Sequence, residues 1–139
     1  MQYSEFLFDL FCNFKAIYQK NLKLPNMSFQ QILAILIVDN SGIEMSFFSK
    51  RLGVDNSTAT RLIDGLEKKK LVKRQRDESD NRIIKVFLTK SGEKTYTSIE
   101  SQLEKIGCLI EQQLDENSKG EIAESCASLN WEIIKLLNR

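Results

Sequence analysis

The run from Met45 to Gly92 constrains the fold more than any other part of the chain. A short periodic segment ends at Leu52, Gly53 and Val54 follow, and Asp55 stands ahead of a second periodic segment. Glycine reaches the left-handed conformation that closes a helix, and Asp is a strong N-cap. Two helices joined by so short a turn cross steeply, which is the helix-turn-helix arrangement. Ser46 is the expected cap of the first helix, and the second is predicted over about Asn56 to Lys69. Ala59, Leu62, Ile63 and Leu66 give the second helix its buried side, with small Ala59 where the helices cross. The opposite side shows Ser57, Thr60, Arg61, Asp64 and Lys68, hydroxyl-rich at its start and basic at its end.

Two strand-like runs follow, Leu71 to Arg76 and Arg82 to Leu88, joined by Asp77-Glu78-Ser79-Asp80-Asn81. Ile84, Val86 and Leu88 share one face and can pack on the helices. Lys68 to Arg76 holds six basic residues and no acid. A cationic hairpin beside such a helix is a wing, whose tip can put an arginine into a minor groove while lysines neutralise phosphates. The start of a recognition helix meets base edges and phosphates in the major groove. That makes Asn56, Ser57, Thr58, Thr60, Arg61 and Lys68 candidate contacts to double-stranded DNA, with Arg74, Arg76 and Asn81 in the wing.

Charge distribution agrees. Of 20 basic and 19 acidic residues, 13 basic and 7 acidic lie between Lys50 and Lys94, so that third carries +6 and the rest −5. One face suits a polyanion and the remainder is kept off it. A solvated charged hairpin, or a winged helix used only for protein contact, is the competing interpretation.

The flanking segments read as helices. Tyr3 to about Lys20 carries Phe6, Leu10, Phe14 and Ile17 at helical spacing, widened by Leu7, Phe11 and Tyr18. Lys23-Leu24-Pro25-Asn26 breaks it, and Ser28 with Gln31 forms a capping box for an apolar helix from Phe29 to about Asp39. Thr89 caps a long helix predicted to reach about Asn117, with Ile99, Leu103, Ile106, Ile110 and Leu114 as its seam. A last helix, about Lys119 to Leu137, repeats the pattern with Ile122, Cys126, Leu129, Ile133 and Leu137. These apolar edges exceed what a small head can cover, so they are expected to cover each other across a two-fold axis. A monomeric helical bundle is the alternative.

Residues 77–92 contain D-x-x-D-x-R-x-x-x-x-x-L-T-x-x-G, as Asp77, Asp80, Arg82, Leu88, Thr89 and Gly92. With the upstream GVDNSTATRLIDGLEKKKLV, this resembles the MarR family of winged-helix regulators over nearly the full chain. The resemblance implies a mostly α fold and a single domain over 1–139. A winged helix-turn-helix head at about 28–90 would sit on a homodimer body built from helices at about 3–20 and 89–138. It also implies a regulator, most simply a repressor, on a pseudo-palindromic operator, released by a small apolar or phenolic ligand. Arg82 would be the minor-groove arginine, with Asp80 bracing the wing by pairing with a basic neighbour. The family usually has Gly where this chain has Lys70, so either a lysine takes a left-handed conformation there or the helix ends differently.

Some members sense oxidation through a first-helix cysteine, which makes Cys12 a candidate switch; a small buried hydrophobe is its plain reading. Phe11, Phe14, Tyr18 and Phe29 are candidate walls of an apolar ligand pocket. No His occurs, the cysteines are unpaired in spacing, and no phosphate loop or nucleophile motif appears, so no metal, cofactor or enzymatic activity is expected. No apolar run reaches a membrane span, no signal peptide is expected, and the cysteine usage fits the cytoplasm.

Overall fold

The computed structural model describes residues 2–139. Its elements are α1 (Tyr3–Asn21), α2 (Phe29–Val38), β1 (Ile43–Glu44), α3 (Met45–Leu52), α4 (Asn56–Lys68), β2 (Val72–Arg76), β3 (Ile84–Leu88), α5 (Lys90–Glu111) and α6 (Lys119–Leu137). The chain divides within α5, after Glu104, into two compact units.

Local chemistry sets the ends of the helices. Ser28 Oγ accepts from Gln31 N at 3.1 Å, and Gln31 Oε1 accepts from Ser28 N at 3.2 Å, so the capping box starts α2. Asp55 starts α4 by accepting from Thr58 N at 2.7 Å. That bond, with a further one from the Thr58 hydroxyl, holds the Asp55 carboxyl below its ordinary range, and nearby Arg61 adds to the effect. Gly53, at φ 73°, ends α3 in the left-handed conformation. Ser46 does not cap α3. The helix begins one residue earlier at Met45, with Glu44 at the cap making no side-chain bond, because β1 carries the chain straight into it.

The core of the first unit is formed by Ile32, Ile35 and Val38 of α2, Phe48 of α3, Ile63 and Leu66 of α4, Val86 of β3 and Ile99 of α5. Each such side chain contributes about 1.5–3 kcal/mol of transfer free energy when fully buried. Ala59 is 1% exposed, as a helix crossing requires, while Leu62 is only half-buried. The sheet has the order β1-β3-β2, both pairs antiparallel, with Arg74 opposite Val86 and Val72 opposite Leu88.

The wing is hung from the start of α5. Thr89 N donates to Leu71 O at 3.0 Å, Thr89 Oγ1 donates to Lys70 O at 2.7 Å, and the same hydroxyl accepts from Gly92 N at 3.0 Å. A Cβ on Gly92 would stand 1.9 Å from Leu71 O, so the carbonyl fills the space a side chain would need. Lys70 has φ 60°; its N–H donates to Glu67 O at 2.8 Å and Leu71 N donates to Leu66 O at 3.0 Å. This is the bonding of a glycine-type helix terminus carried by a lysine.

The seam of α5 was expected to continue to about Asn117, but the helix stops at Glu111. Gln113 N and Leu114 N donate to Ile110 O at 3.0 Å and Glu111 O at 3.1 Å, tighter turns that close the helix, and Asp115 Oδ2 then accepts from Asn117 N at 3.1 Å and Ser118 Oγ at 3.2 Å ahead of α6. Neither α1 nor α6 has a buried residue. Phe8, Phe11 and Tyr3 stand out from α1, and Trp131, Leu136 and Leu137 from α6. Among the described residues no helix is long and apolar enough to cross a membrane.

Candidate nucleic-acid interface

The first turns of α4 present their polar side chains unequally. Ser57, Thr60 and Arg61 are exposed, as is Lys68 at the far end. Thr60 Oγ1 donates back to Asn56 O at 2.9 Å, which leaves its lone pairs outward. Asn56 is exposed but anchored, its Oδ1 accepting from Ser49 Oγ at 3.0 Å; the buried Ser49 therefore fixes the angle at which α4 leaves the turn. Thr58 is half-buried, with its backbone and hydroxyl engaged on Asp55.

At the wing tip, Asp80 grips Arg82. Arg82 Nε donates to Asp80 Oδ1 at 3.1 Å, Arg82 Nη2 to Oδ2 at 3.2 Å, and the Arg82 backbone N to Oδ1 at 3.0 Å. The Arg82 side chain is nevertheless 91% exposed. These bonds from Arg82 hold the Asp80 carboxyl below the ordinary aspartate range. A paired fork of this kind fixes the direction of the guanidinium. Arg76 Nη1 donates to Asn81 O at 2.7 Å, closing the hairpin from the other strand. Asn81 and Arg76 are both exposed. Asn56, Thr60 and Arg82 line one cleft of about 280 Å³ together with Glu44 and Met45, so helix and wing converge there.

Arg74 does not stand free for DNA. Its Nη2 bonds Asp64 Oδ1, its backbone N donates to Glu67 Oε1 at 3.1 Å, and its Nε lies 3.3 Å from the same oxygen. That last approach is a charge contact only, since Nε has no hydrogen-bond partner. Strand β2 thus ties itself to α4 through Arg74, and in doing so neutralises an acid on the exposed helix face. Asp64 and Glu67 were the missing partners. Their i, i+3 spacing opposite a strand arginine is visible in sequence, but the pairing needs the hairpin's register.

The other candidates fare differently. Phe14 and Tyr18 stack at 5.9 Å between centroids, but Phe11 and Phe14 are exposed and Phe29 is only half-buried. The chain by itself forms no enclosed aromatic pocket from them, because α1 has nothing packed over that face. Cys12, Cys108 and Cys126 are all exposed, so the buried-hydrophobe reading of Cys12 does not hold in the single chain. Among the described residues no cluster of three or more metal-ligating side chains occurs.

The model of the MarR family matches residues 25–84, which run from the loop before α2 to the start of β3. Over those residues the chain is similar to the MarR family. The chain is 32% identical over 75 residues to the HTH-type transcriptional regulator YfiV of Bacillus subtilis, covering 53% of this chain and 47% of that protein. Across the first three curated relatives the matches span 47%, 63% and 61% of their lengths. A MarR transcriptional regulator from Methanosarcina mazei superposes with a TM-score of 0.79 at 25% identity, over 95% of this chain and 99% of that one. Streptococcus pneumoniae FabT in complex with DNA superposes with a TM-score of 0.77 at 23% identity, over 96% of each chain. The wing departs from the pattern that the MarR resemblance implies at Lys70, which takes the left-handed conformation without a glycine.

Proposed function

We propose that the chain is a DNA-binding transcription regulator that works as a homodimer on a pseudo-palindromic operator. Its simplest mode is repression by occupancy, relieved by a small apolar or phenolic ligand. The observation that carries this reading is the wing tip, where Arg82 is solvent-exposed yet held by three bonds that it donates to Asp80. An arginine fixed in solvent has little to do for the fold and is pre-organised for a narrow minor groove. The exposed Ser57, Thr60 and Arg61 would then read the adjacent major groove, with Lys68 and Arg76 on phosphates. Arg74 serves this surface indirectly, by setting the wing against α4.

The dimer rests on the apolar side chains of α1 and α6 that a single chain leaves in water. Several large exposed apolar residues on one helix mark an interface. Two heads related by a two-fold axis would meet half-sites about 34 Å apart, one turn of the duplex.

Fluorescence anisotropy on the duplex upstream of the protein's own coding region, against a scrambled duplex, tests the proposal. Tight, sequence-preferring binding whose logarithm falls with log salt at about 0.9 per neutralised phosphate is expected. Equal weak binding to both duplexes, with a normally folded dimer, would favour a winged helix used for protein contact instead.

A further inference from the structure

Asn56 is the first residue of α4 and is exposed, in the cleft that it shares with Thr60 and Arg82. Behind it stands Ser49 of α3, 4% exposed. The Ser49 hydroxyl lies 3.0 Å from Asn56 Oδ1 and 3.0 Å from Ser46 O. Ser46 O lies inside α3, where the helix supplies a backbone donor of its own. Asn56 Oδ1 has no such second source: among the described residues the Ser49 hydroxyl is its one donor.

A side-chain amide has one end that donates and one that accepts. An asparagine that faces a base edge with both ends free pairs bidentately with adenine, accepting from N6 and donating to N7. Asn56 does not have both ends free. With Oδ1 turned inward to Ser49, only Nδ2 is left toward the groove. Thr60, one turn on, is the reverse case: its proton goes to Asn56 O at 2.9 Å, so it offers lone pairs outward. Of these two residues, Asn56 is therefore the donor and Thr60 the acceptor.

We infer that Asn56 reads a keto oxygen, guanine O6 or thymine O4, on the contacted strand, and that the buried Ser49 sets this choice as a positioning residue. In the major groove each base pair offers one keto oxygen and one exocyclic amino group, so the contact fixes which way round a pair lies rather than whether it is G·C or A·T. The amino groups of adenine and cytosine would face Nδ2 donor to donor. Guanine adds N7 as a second acceptor beside O6. This deepens the DNA-binding reading above and rests on it.

The test is selection from a library of randomised duplexes by the purified chain, with melting recorded for every variant. Asn56→Ala identifies the position, as the one it makes indifferent to base. Wild type should hold guanine or thymine there about tenfold over adenine or cytosine, within the usual worth of a base contact. Asn56→Asp is isosteric, sits on an exposed position and turns the outward donor into an acceptor, so the preference should invert to cytosine or adenine. Ser49→Ala frees Oδ1 and should let adenine rise to the level of guanine at that position, a change of base profile that a loosened helix alone would not produce. Adenine or cytosine preferred by wild type would overturn the inference. So would an Asn56→Ala protein that changes no position, or an Asn56→Asp or Ser49→Ala profile equal to that of wild type. A wild-type protein that enriches no sequence at all would refute the DNA reading, and the inference with it.

Discussion

Gly92→Ala isolates the joint between the wing and α5. The added methyl would stand 1.9 Å from Leu71 O. Ordinary contact between carbon and oxygen needs about 3.3 Å, so the start of α5 or the carbonyl must move by more than an ångström. Three bonds meet at that point: Thr89 N to Leu71 O, Thr89 Oγ1 to Lys70 O and Gly92 N to Thr89 Oγ1. Each is worth about 0.5–1.5 kcal/mol net, and forced overpacking costs about 1–3 kcal/mol. Not all three need break, so the expected loss is about 2–4 kcal/mol. Gly120→Ala is the matched control. Nothing lies within 4 Å of its added methyl, and an exposed helical glycine replaced by Ala gains up to about 1 kcal/mol. Urea denaturation of the two variants and the wild type at one protein concentration gives the comparison. A Gly92→Ala protein within about 1 kcal/mol of wild type would refute the steric argument, because a clash with backbone cannot relax by side-chain rotation.

Four further outcomes follow from named contacts. Lys70→Gly should stabilise by about 0.5–1 kcal/mol in the same denaturation assay, since it removes a left-handed lysine at about 1–2 kcal/mol and returns part as chain entropy. Arg74→Met should cost only about 1 kcal/mol of stability, because its partner Asp64 is half exposed, yet weaken operator binding more than that by leaving Asp64 and Glu67 uncompensated against phosphate; anisotropy and melting measured together decide it. Ile133→Asp should shift the proposed homodimer toward monomer in analytical ultracentrifugation, since it puts a charge on the exposed apolar face of α6. Arg82→Ala should lose about 1–3 kcal/mol of operator affinity with little change in melting temperature, and the Asp80 carboxyl, held below its ordinary range by Arg82 in wild type, should move back up in NMR. Because that carboxyl is depressed in the folded chain, the bridge is complete above the unfolded value and loosens only as pH falls through the lower folded one.

The features read correctly from sequence are those decided within a few residues. Ser28 and Gln31, Asp55 and Thr58, and the glycine after Leu52 each satisfy or close backbone groups locally, so residue type was enough. Arg74 shows where that ends. Its neighbours in sequence are lysines and an arginine, and a cationic hairpin suggested phosphate; only the register that puts Arg74 opposite Val86 brings it to Asp64 and Glu67. The end of α5 fails for another reason. The apolar spacing runs on through Leu114, but periodicity says nothing of the tighter turns by which Gln113 and Leu114 bond back to Ile110 and Glu111. Strand β1 is two residues long and exists because Ile43 and Glu44 find β3, not because of any propensity of their own. The same logic bears on α1 and α6. An apolar stripe dictates that something must cover it, but the identity of the cover is a property of the partner surface. That is why the aromatic pocket proposed on α1 had no walls in a single chain.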